Sequence, residues 1–344
     1  MTSFFADRAL IDDAWEDDVL IDVHDGIITT IGAGLTAPTD ATILPGAVIP
    51  GMANAHSHAF HRALRGRTHA LGGSFWTWRD LMYEAAHKLT PDGYFKLATA
   101  VFAEMLEAGF TAVGEFHYLH HQADGAPYSE PNIMAQRVVD AANEVGIRIT
   151  LLDTLYLHGG LDADGYHPLS ACQLRFSDRS VDRYLERTGQ LQLTGDRTRT
   201  GTAVHSIRAV DPDSLALVAS ALDRPVHAHL SEQPEENNQA LAAHGRTPTQ
   251  VFSDAGVLSP ALTAVHATHL TPHDIRLLGE AGASVCFCPT TERDLADGIG
   301  PALELDTAGA RLCVGSDSHA VIDPFEEIRA IEMHERLASH RRGT

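Results

Sequence analysis

Three histidines stand close together in the segment GMANAHSHAFHR, at positions 56, 58 and 61. His56 and His58 are two residues apart, and side chains with this spacing lie on the same face of an extended strand. Two imidazoles on one face are typical ligands of a divalent metal. A His-x-His pair also occurs by chance, so the metal hypothesis depends on further ligands elsewhere in the chain.

Further histidines and carboxylates follow apolar segments far along the chain. Buried imidazoles and carboxylates cost free energy unless something compensates them, and a divalent cation does so. Zinc is the first expectation for such ligands, with iron or manganese as alternatives. His205 ends the fourth predicted strand without a lysine that could be carbamylated to bridge two metals, which favours one metal. The predicted protein ligands are His56, His58, His229 and Asp317, with a position left for water.

These ligands need a scaffold that brings distant segments together. From residue 47 onward, apolar runs alternate with helical segments, as expected of parallel strands that are buried on both faces. Thr90-Pro91, Asp211-Pro212 and Thr271-Pro272 are typical helix starts. Strands are predicted over residues 47–54, 111–117, 147–153, 201–205, 225–230, 262–266, 283–288 and 310–316.

Eight strands that alternate with helices predict a (β/α)8 TIM-like barrel. In such a barrel the C-terminal ends of the strands meet at one mouth, and the polar residues above fall at these ends. An open doubly wound sheet is the alternative, although no Gly-x-Gly-x-x-Gly turn follows an early strand. Residues 1–46 show short alternating runs separated by turns, which predict a small β segment before a barrel over 47–344.

The composition limits the class of partner. The chain has 46 Asp and Glu against 25 Lys and Arg, a formal charge of -21. Such a protein repels phosphate backbones, so no nucleic-acid partner is expected. The N-terminal stretch lacks the basic region of a signal peptide, and no stretch has the roughly 18 apolar residues of a spanning helix. We therefore expect a cytoplasmic protein without a membrane partner, and four cysteines are too few for a disulfide framework.

Several segments resemble one known family over nearly the whole chain. They are PGMANAHSHAFHRALRG, GSFWTWRDLMY, EFHYLHH, VHSIRAV, HAHLSEQ, VHATHL, CPTTERDLADGIGPA and VGSDSH. The metal motif resembles the amidohydrolase superfamily, and FWTWRDLMY with EFHYLHH resembles the N-formimino-L-glutamate deiminases of histidine degradation. This resemblance implies hydrolysis of N-formimino-L-glutamate to N-formyl-L-glutamate and ammonia, with zinc as the metal.

The resemblance also implies roles for residues other than the metal ligands. Glu232 and His266 would handle protons beside the metal, and Asp317 would take a proton from water while remaining a ligand. Metal-bound hydroxide would then attack the formimino carbon. The two carboxylates of the substrate need cationic partners, and a guanidinium matches a carboxylate in bidentate fashion. The implied substrate-binding residues are His61, Arg79, Tyr118, His205 and Arg208.

Two features depart from the pattern of that family. Its members usually have glutamine where this chain has His61, and an imidazole offers its donor and acceptor in a different geometry, so substrate preference is expected to differ. Relatives also continue past the last barrel helix into strands that complete a small β domain, so residues 1–46 are expected to lack these partner strands. A homodimer is a further expectation from the resemblance. We expect His120 and His121 to be exposed to solvent.

Two other functions stay open on the sequence alone. One is a related deaminase that acts on a purine-like ring or another amidine, which would have little need for paired arginines. The other is a truncated, catalytically silent chain that binds only a metal or a partner, although every expected catalytic residue is present.

Overall fold

The computed structural model describes residues 2–68, 73–221 and 225–343. The chain divides into two compact units, Met1–Met52 and Ala53–Thr344. The predicted (β/α)8 barrel and the N-terminal β strands are both confirmed. Within the described ranges, no helix combines the length and the apolar character that crossing a membrane requires.

The first unit contains a four-stranded sheet. Its strands are β1 (Thr2–Ile11), β2 (Ala14–His24), β3 (Ile27–Gly32) and β4 (Thr42–Val48). β1 lies between β2, with which it pairs antiparallel, and β4, with which it pairs parallel. β3 pairs antiparallel with the other edge of β2. The small core of this sheet consists of Ala6, Ala9 and Val19, with Ile11, Ile21, Leu44 and Val48 packed against them.

The second unit is built on eight parallel strands, and a short hairpin follows the third of them. In chain order these strands are β5 (Met52–Ser57), β6 (Phe110–His117), β7 (Arg148–Leu155), the hairpin β8 (Gly160–Asp162) and β9 (Gly165–His167), β10 (Thr198–Val204), β11 (Val226–Leu230), β12 (Leu262–His266), β13 (Ser284–Phe287) and β14 (Arg311–Val314). The barrel strands are neighbours in sequence order from β5 to β14.

The ring of strands closes through backbone groups of the candidate site. His58 N–H donates to Asp317 O at 3.1 Å, and Asp317 N–H donates to His56 O at 3.0 Å. Glycines allow this close approach, because a Cβ at Gly315 would lie 2.7 Å from His56 O. Two of the hydrogen bonds that close the barrel therefore lie at predicted ligands of the site.

The first barrel strand differs from the prediction over 47–54. The structure divides this segment between β4, which ends at Val48 in the N-terminal sheet, and β5, which begins at Met52. Pro50 and Gly51 lie between the two strands, and proline cannot donate a backbone hydrogen bond to a sheet ladder. The prediction of one continuous strand was therefore wrong at this point.

The helices follow the strands as the alternating pattern predicts. Thr90 caps its helix by accepting a hydrogen bond from Gly93 N–H, and Gly109 ends it with a φ of 104°. The helices are α1 (Phe75–Lys88), α2 (Pro91–Ala108), α3 (Ile133–Val145), α4 (Val181–Gly189), α5 (Pro212–Ala221), α6 (Pro234–His244), α7 (Pro248–Asp254), α8 (Pro272–Glu280), α9 (Pro289–Leu295), α10 (Ala302–Ala308) and α11 (Pro324–Ser339), and 3-10 turns span Ala59–Leu64 and Ala171–Phe176.

His120 and His121 are buried, so the prediction that they face solvent was wrong. They are 1% and 7% exposed. Their surroundings are polar although buried, because the Arg187 guanidinium donates hydrogen bonds to both carboxylate oxygens of Asp153 and also to Asp178. His121 Nε2 lies 3.0 Å from Asp178 Oδ1. The EFHYLHH segment thus packs against a buried ion-pair network, which its local sequence does not reveal.

Glu327 gives the fold a testable pH dependence. Its buried carboxyl accepts a hydrogen bond from Thr290 N–H at 3.0 Å, and burial raises its pKa from 4.5 to about 8. The folded chain therefore binds more protons than the unfolded chain between these pH values. The free energy of unfolding should fall as pH rises through this interval, by up to about 1.4 kcal/mol per pH unit from this group.

We expect Glu327→Gln to reduce the loss of stability between pH 5 and 9, because the amide has no proton to lose. Urea unfolding at several pH values measures the effect. Glu304→Gln, at an exposed position on α10, should leave the wild-type pH dependence unchanged. Parallel stability curves for Glu327→Gln and the wild type would contradict the assignment.

Candidate active site

Four side chains from three distant strand ends converge on one point. His58 Nε2 and His56 Nε2 each lie 3.3 Å from His229 Nε2. Asp317 Oδ1 lies 3.3 Å from His56 Nε2 and 3.5 Å from His58 Nε2. All four residues are buried. The structure thus brings together the four predicted ligands, which we call the ligand cage.

The hydrogen bonds of the ligand cage leave imidazole lone pairs facing one another. His58 Nδ1 lies 2.9 Å from Phe116 O, and His229 Nδ1 lies 2.9 Å from His205 O. A carbonyl only accepts, so each Nδ1 carries the hydrogen and each Nε2 presents a lone pair. Burial and neighbouring imidazoles lower the pKa of His58 and His229 well below the usual value, so both rings are neutral.

Two lone pairs that face each other at 3.3 Å repel unless a cation lies between them. Ligand atoms bound to one tetrahedral zinc at about 2.0–2.1 Å are themselves separated by about 3.3 Å. The cage distances match this spacing. Asp317 adds the negative charge, because its contacts with the imidazoles outweigh burial and hold its pKa below the usual range. The donor set therefore fits one divalent metal that accepts imidazole and carboxylate.

Glu115 holds the His-x-His segment in place. Its carboxylate accepts a hydrogen bond from Ser57 Oγ and another from Ala59 N–H at 2.7 Å. Ser57 and Ala59 flank His58, so these two bonds fix the backbone from which His58 projects. Burial raises the pKa of Glu115 to about 8.

Glu232 and His266 lie beside the ligand cage. His266 Nε2 is 3.6 Å from Glu232 Oε1 and 4.0 Å from Asp317 Oδ2, so its ring lies between the two carboxylates. Burial alone would lower the pKa of His266. Glu232, Glu292 and Asp317 outweigh burial and raise it to about 10. The arrangement provides two carboxylates and one imidazole that can pass protons around a reacting carbon.

A cavity of about 250 Å³ opens on this group. It is the pocket expected at the C-terminal ends of barrel strands. Every residue predicted for the site lines it except His56, which is fully buried. The predicted residues in its wall are His58, His61, Arg79, Tyr118, His205, Arg208, His229, Glu232, His266 and Asp317.

Two guanidinium groups face this cavity. Arg79 stacks on Trp76, with 4.5 Å between Arg79 Cζ and the ring centroid. Arg208 is buried, and its Nη2 lies 3.3 Å from Glu232 Oε2, while its Nε lies 3.8 Å from Glu236. Arg208 is therefore balanced by carboxylates, and the Nε atoms of both arginines have no hydrogen-bond partner among the described residues.

His61 packs against His58 of the ligand cage and also lines the cavity. Its Nε2 lies 3.0 Å from Tyr118 Oη, and its ring packs edge-on against Trp78. Its buried Nδ1 lacks a partner within the part of the chain that the structure describes. Burial lowers the pKa of His61 to about 3, so a neutral ring faces the cavity. The side chain can thus supply a single donor or acceptor to a bound molecule.

A second group of possible ligands, His117, His120 and Asp153, lies outside the cavity. Asp153 Oδ1 and Oδ2 accept hydrogen bonds from Arg187 at 2.7 and 2.9 Å. A guanidinium in that position already supplies the positive charge, so a divalent cation would be repelled. The contacts of Arg187 therefore argue against a metal at this second group.

Sequence reasoning assigned no role to Glu115, Glu292 and Asp297, although all three are buried around the site. All three occur in the quoted segments, Glu115 in EFHYLHH and the other two in CPTTERDLADGIGPA, which was the available signal. Asp297 lies near Glu232, and burial together with that carboxylate raises its pKa to about 9.

Comparisons with known proteins all find relatives of the same kind. The Amidohydrolase family model matches residues 47–343. The formimidoylglutamate deiminase of Pseudomonas aeruginosa is 40% identical over all of this chain and 76% of its own length. A crystal structure of an amidohydrolase from Brucella melitensis is 36% identical, with a TM-score of 0.92 over 99% of this chain and 77% of that one.

A more distant structure shares the fold. It is an adenosine deaminase from Xanthomonas campestris with bound zinc, 24% identical, with a TM-score of 0.78 over 98% of this chain and 74% of that one. At this identity the likeness concerns the fold alone.

Proposed function

This chain belongs to the amidohydrolase family, and we propose that it hydrolyses N-formimino-L-glutamate to N-formyl-L-glutamate and ammonia. It is a hydrolase that acts on carbon–nitrogen bonds. One observation carries the choice of substrate: two guanidinium groups, Arg79 and Arg208, share a cavity with the ligand cage and the Glu232–His266 pair. The relative at 40% identity bears the name of the same activity.

We propose that the ligand cage holds one zinc ion. His56, His58, His229 and Asp317 would be its protein ligands. When bound, zinc would polarise the substrate as a Lewis acid and lower the pKa of a coordinated water to about 7.

The reaction moves two protons from the attacking water to the departing nitrogen. Water adds across the C=N bond and the imino nitrogen gains one proton; loss of the second from oxygen restores a carbonyl as ammonia leaves. Glu232 would accept one proton from the attacking water and deliver it to the imino nitrogen, and Asp317 Oδ2 would accept the other from the oxygen as the carbonyl forms and return it to the departing nitrogen. His266 Nε2, which lies 3.6 Å from one carboxylate and 4.0 Å from the other, stabilises charge on the oxygen.

The arginines would bind the two carboxylates of the substrate. Arg79 is held by stacking on Trp76, which leaves its guanidinium the more available of the two to bind a substrate carboxylate. Arg208 is held by Glu232 and Glu236, so a substrate carboxylate must share or replace these contacts. Bidentate pairing of guanidinium with carboxylate provides both affinity and orientation.

His61, Tyr118 and His205 would orient the substrate as neutral donors and acceptors. Burial, with Arg208 and Arg79 nearby, lowers the pKa of His205 well below the usual value. The ring of His205 packs 5.6 Å from that of Tyr118, centroid to centroid, and Tyr118 Oη contacts His61. These three side chains therefore form one wall of the cavity without a net charge.

Substrate charge provides the test of this proposal. We expect N-formimino-L-glutamate to be turned over with a kcat/KM at least about 100-fold above that of its uncharged diamide, because two charge-assisted contacts are lost in the diamide. Arg79→Met should raise KM for the diacid by about 10-fold or more and change little for the diamide. The exposed α8 variant Arg276→Met serves as the control. Equal turnover of diacid and diamide would contradict the proposal and favour a ring or another amidine as substrate.

A further inference from the structure

Glu292 connects the turn that follows β13 to the ring of His266. It lies on α9 and is 3% exposed. Its Oε1 accepts a hydrogen bond from Cys288 N–H at 2.8 Å, and the same oxygen lies 3.3 Å from His266 Nδ1. The carboxylate is thus fixed by the backbone of one strand end while it contacts the imidazole of the neighbouring strand.

The other ring nitrogen of His266 faces the reacting centre. Its Nε2 lies between Glu232 Oε1 and Asp317 Oδ2. The two nitrogens lie on opposite sides of the ring, so a hydrogen held at Nδ1 also fixes where Nε2 points.

The backbone of His266 is itself strained. His266 has a φ of 68° and Ala267 a φ of 50°, which is the left-handed region that non-glycine residues rarely adopt. Such a conformation persists only when surrounding contacts maintain it. Glu292 is the contact that the described residues offer to Nδ1.

We propose that Glu292 is a positioning residue, which accepts the Nδ1–H of His266 and keeps Nε2 directed between Glu232 and Asp317. The hydrogen stays on Nδ1, and Glu292 exchanges no proton with the substrate. The effect of Glu292 on turnover rests on the proposed deiminase function, whereas its effect on the ring of His266 does not. A merely structural Glu292 would instead cap Cys288 N–H and act independently of His266.

Nitrogen-15 NMR of histidine-labelled protein, loaded with zinc, tests the contact without substrate. His266→Gln identifies the His266 signals by their loss. We expect Nδ1 of His266 to carry hydrogen in the wild type. In Glu292→Met, which removes the acceptor, the Nδ1–H signal should lose the chemical shift of a hydrogen-bonded proton and exchange faster with water. An unchanged shift and exchange rate of Nδ1–H in that variant would overturn the proposal.

Kinetics then test whether the contact serves catalysis. Glu292→Met should lower kcat by about 10- to 100-fold with KM within about threefold and zinc content unchanged. In the His266→Gln background, Glu292→Met should lower kcat by less than about threefold. Equal losses in both backgrounds would overturn the proposal in favour of a structural role. Glu335→Gln, a buried carboxylate that accepts Leu303 N–H on the far helices, should leave kcat unchanged.

Glu292→Gln covers the case in which the methionine variant does not fold. The amide keeps the shape and one acceptor oxygen for Cys288 N–H, but it loses the charge. The amide oxygen can still accept from His266 Nδ1–H, so we expect a loss of kcat of at most about 10-fold that disappears in the His266→Gln background. The same loss of kcat in both backgrounds would overturn the proposal. A wild type that releases no ammonia from formiminoglutamate contradicts the proposed function, while the NMR result still decides the role of Glu292.

Discussion

Asp317→Asn is expected to release the metal and to lower kcat by about 10³-fold or more. The carboxylate lies 3.3 Å from His56 Nε2 and 3.5 Å from His58 Nε2, and its lowered pKa keeps it charged at neutral pH. Asparagine has nearly the same size, but its neutral amide oxygen is a weaker metal ligand. It also cannot take a proton from water. Metal content by mass spectrometry and steady-state ammonia release measure the two losses.

The fold should survive this change. The hydrogen bonds that close the barrel at Asp317 use its backbone N–H and C=O, which asparagine retains. We expect metal-free wild type and metal-free Asp317→Asn to melt within a few degrees of each other. Asp306→Asn, on the exposed face of α10, is the matched control and should change neither metal content nor kcat. An Asp317→Asn protein with full metal content and more than a tenth of the wild-type kcat would contradict the assignment.

Glu232→Gln is expected to lower kcat by about 10²- to 10⁴-fold while the metal stays bound. Glu232 lies outside the ligand cage, and its two oxygens contact different partners, His266 Nε2 at 3.6 Å and Arg208 Nη2 at 3.3 Å. A carboxylate at this position can carry a proton to the leaving nitrogen, and an amide cannot. Steady-state kinetics and metal analysis of the same sample check both parts of the prediction.

The ratio of kcat to KM effects separates two roles of Glu232. Loss of proton transfer lowers kcat, whereas loss of the contact that holds Arg208 raises KM. We expect the fall in kcat to exceed the rise in KM by at least about 10-fold. Glu235→Gln, three residues further along and exposed on α6, should behave as wild type. A rise in KM with unchanged kcat would show that Glu232 serves only to hold the arginine.

The barrel and its mouth were predictable from the sequence for a physical reason. Parallel strands buried on both faces are continuous apolar runs, and polar residues at their ends stand out against such runs. His229, His266 and Asp317 were identified in this way although they are far apart in the chain, because strand ends of a barrel must converge. Arg79 and Arg208 lie on a helix and in a loop, and only family resemblance indicated them.

The remaining features depend on packing that the local sequence does not encode. His120 and His121 were expected to face solvent, yet Arg187, more than sixty residues away, makes a buried polar layer there possible. Glu292 occurs in a segment that resembles the family, but its contact with His266 joins two different strand ends. The break at Pro50 lies inside residues 47–54, which were predicted as one strand.

Zinc titration of chelated protein tests the central claim, that one metal at this cage drives hydrolysis of the formimino group. Metal-free protein receives increasing zinc, and ammonia and N-formyl-L-glutamate are both quantified at each step. We predict that activity rises linearly, stops rising at one zinc per chain, and yields the two products in a one-to-one ratio. Release of ammonia without added metal, or continued activation up to two metals per chain, would contradict the account.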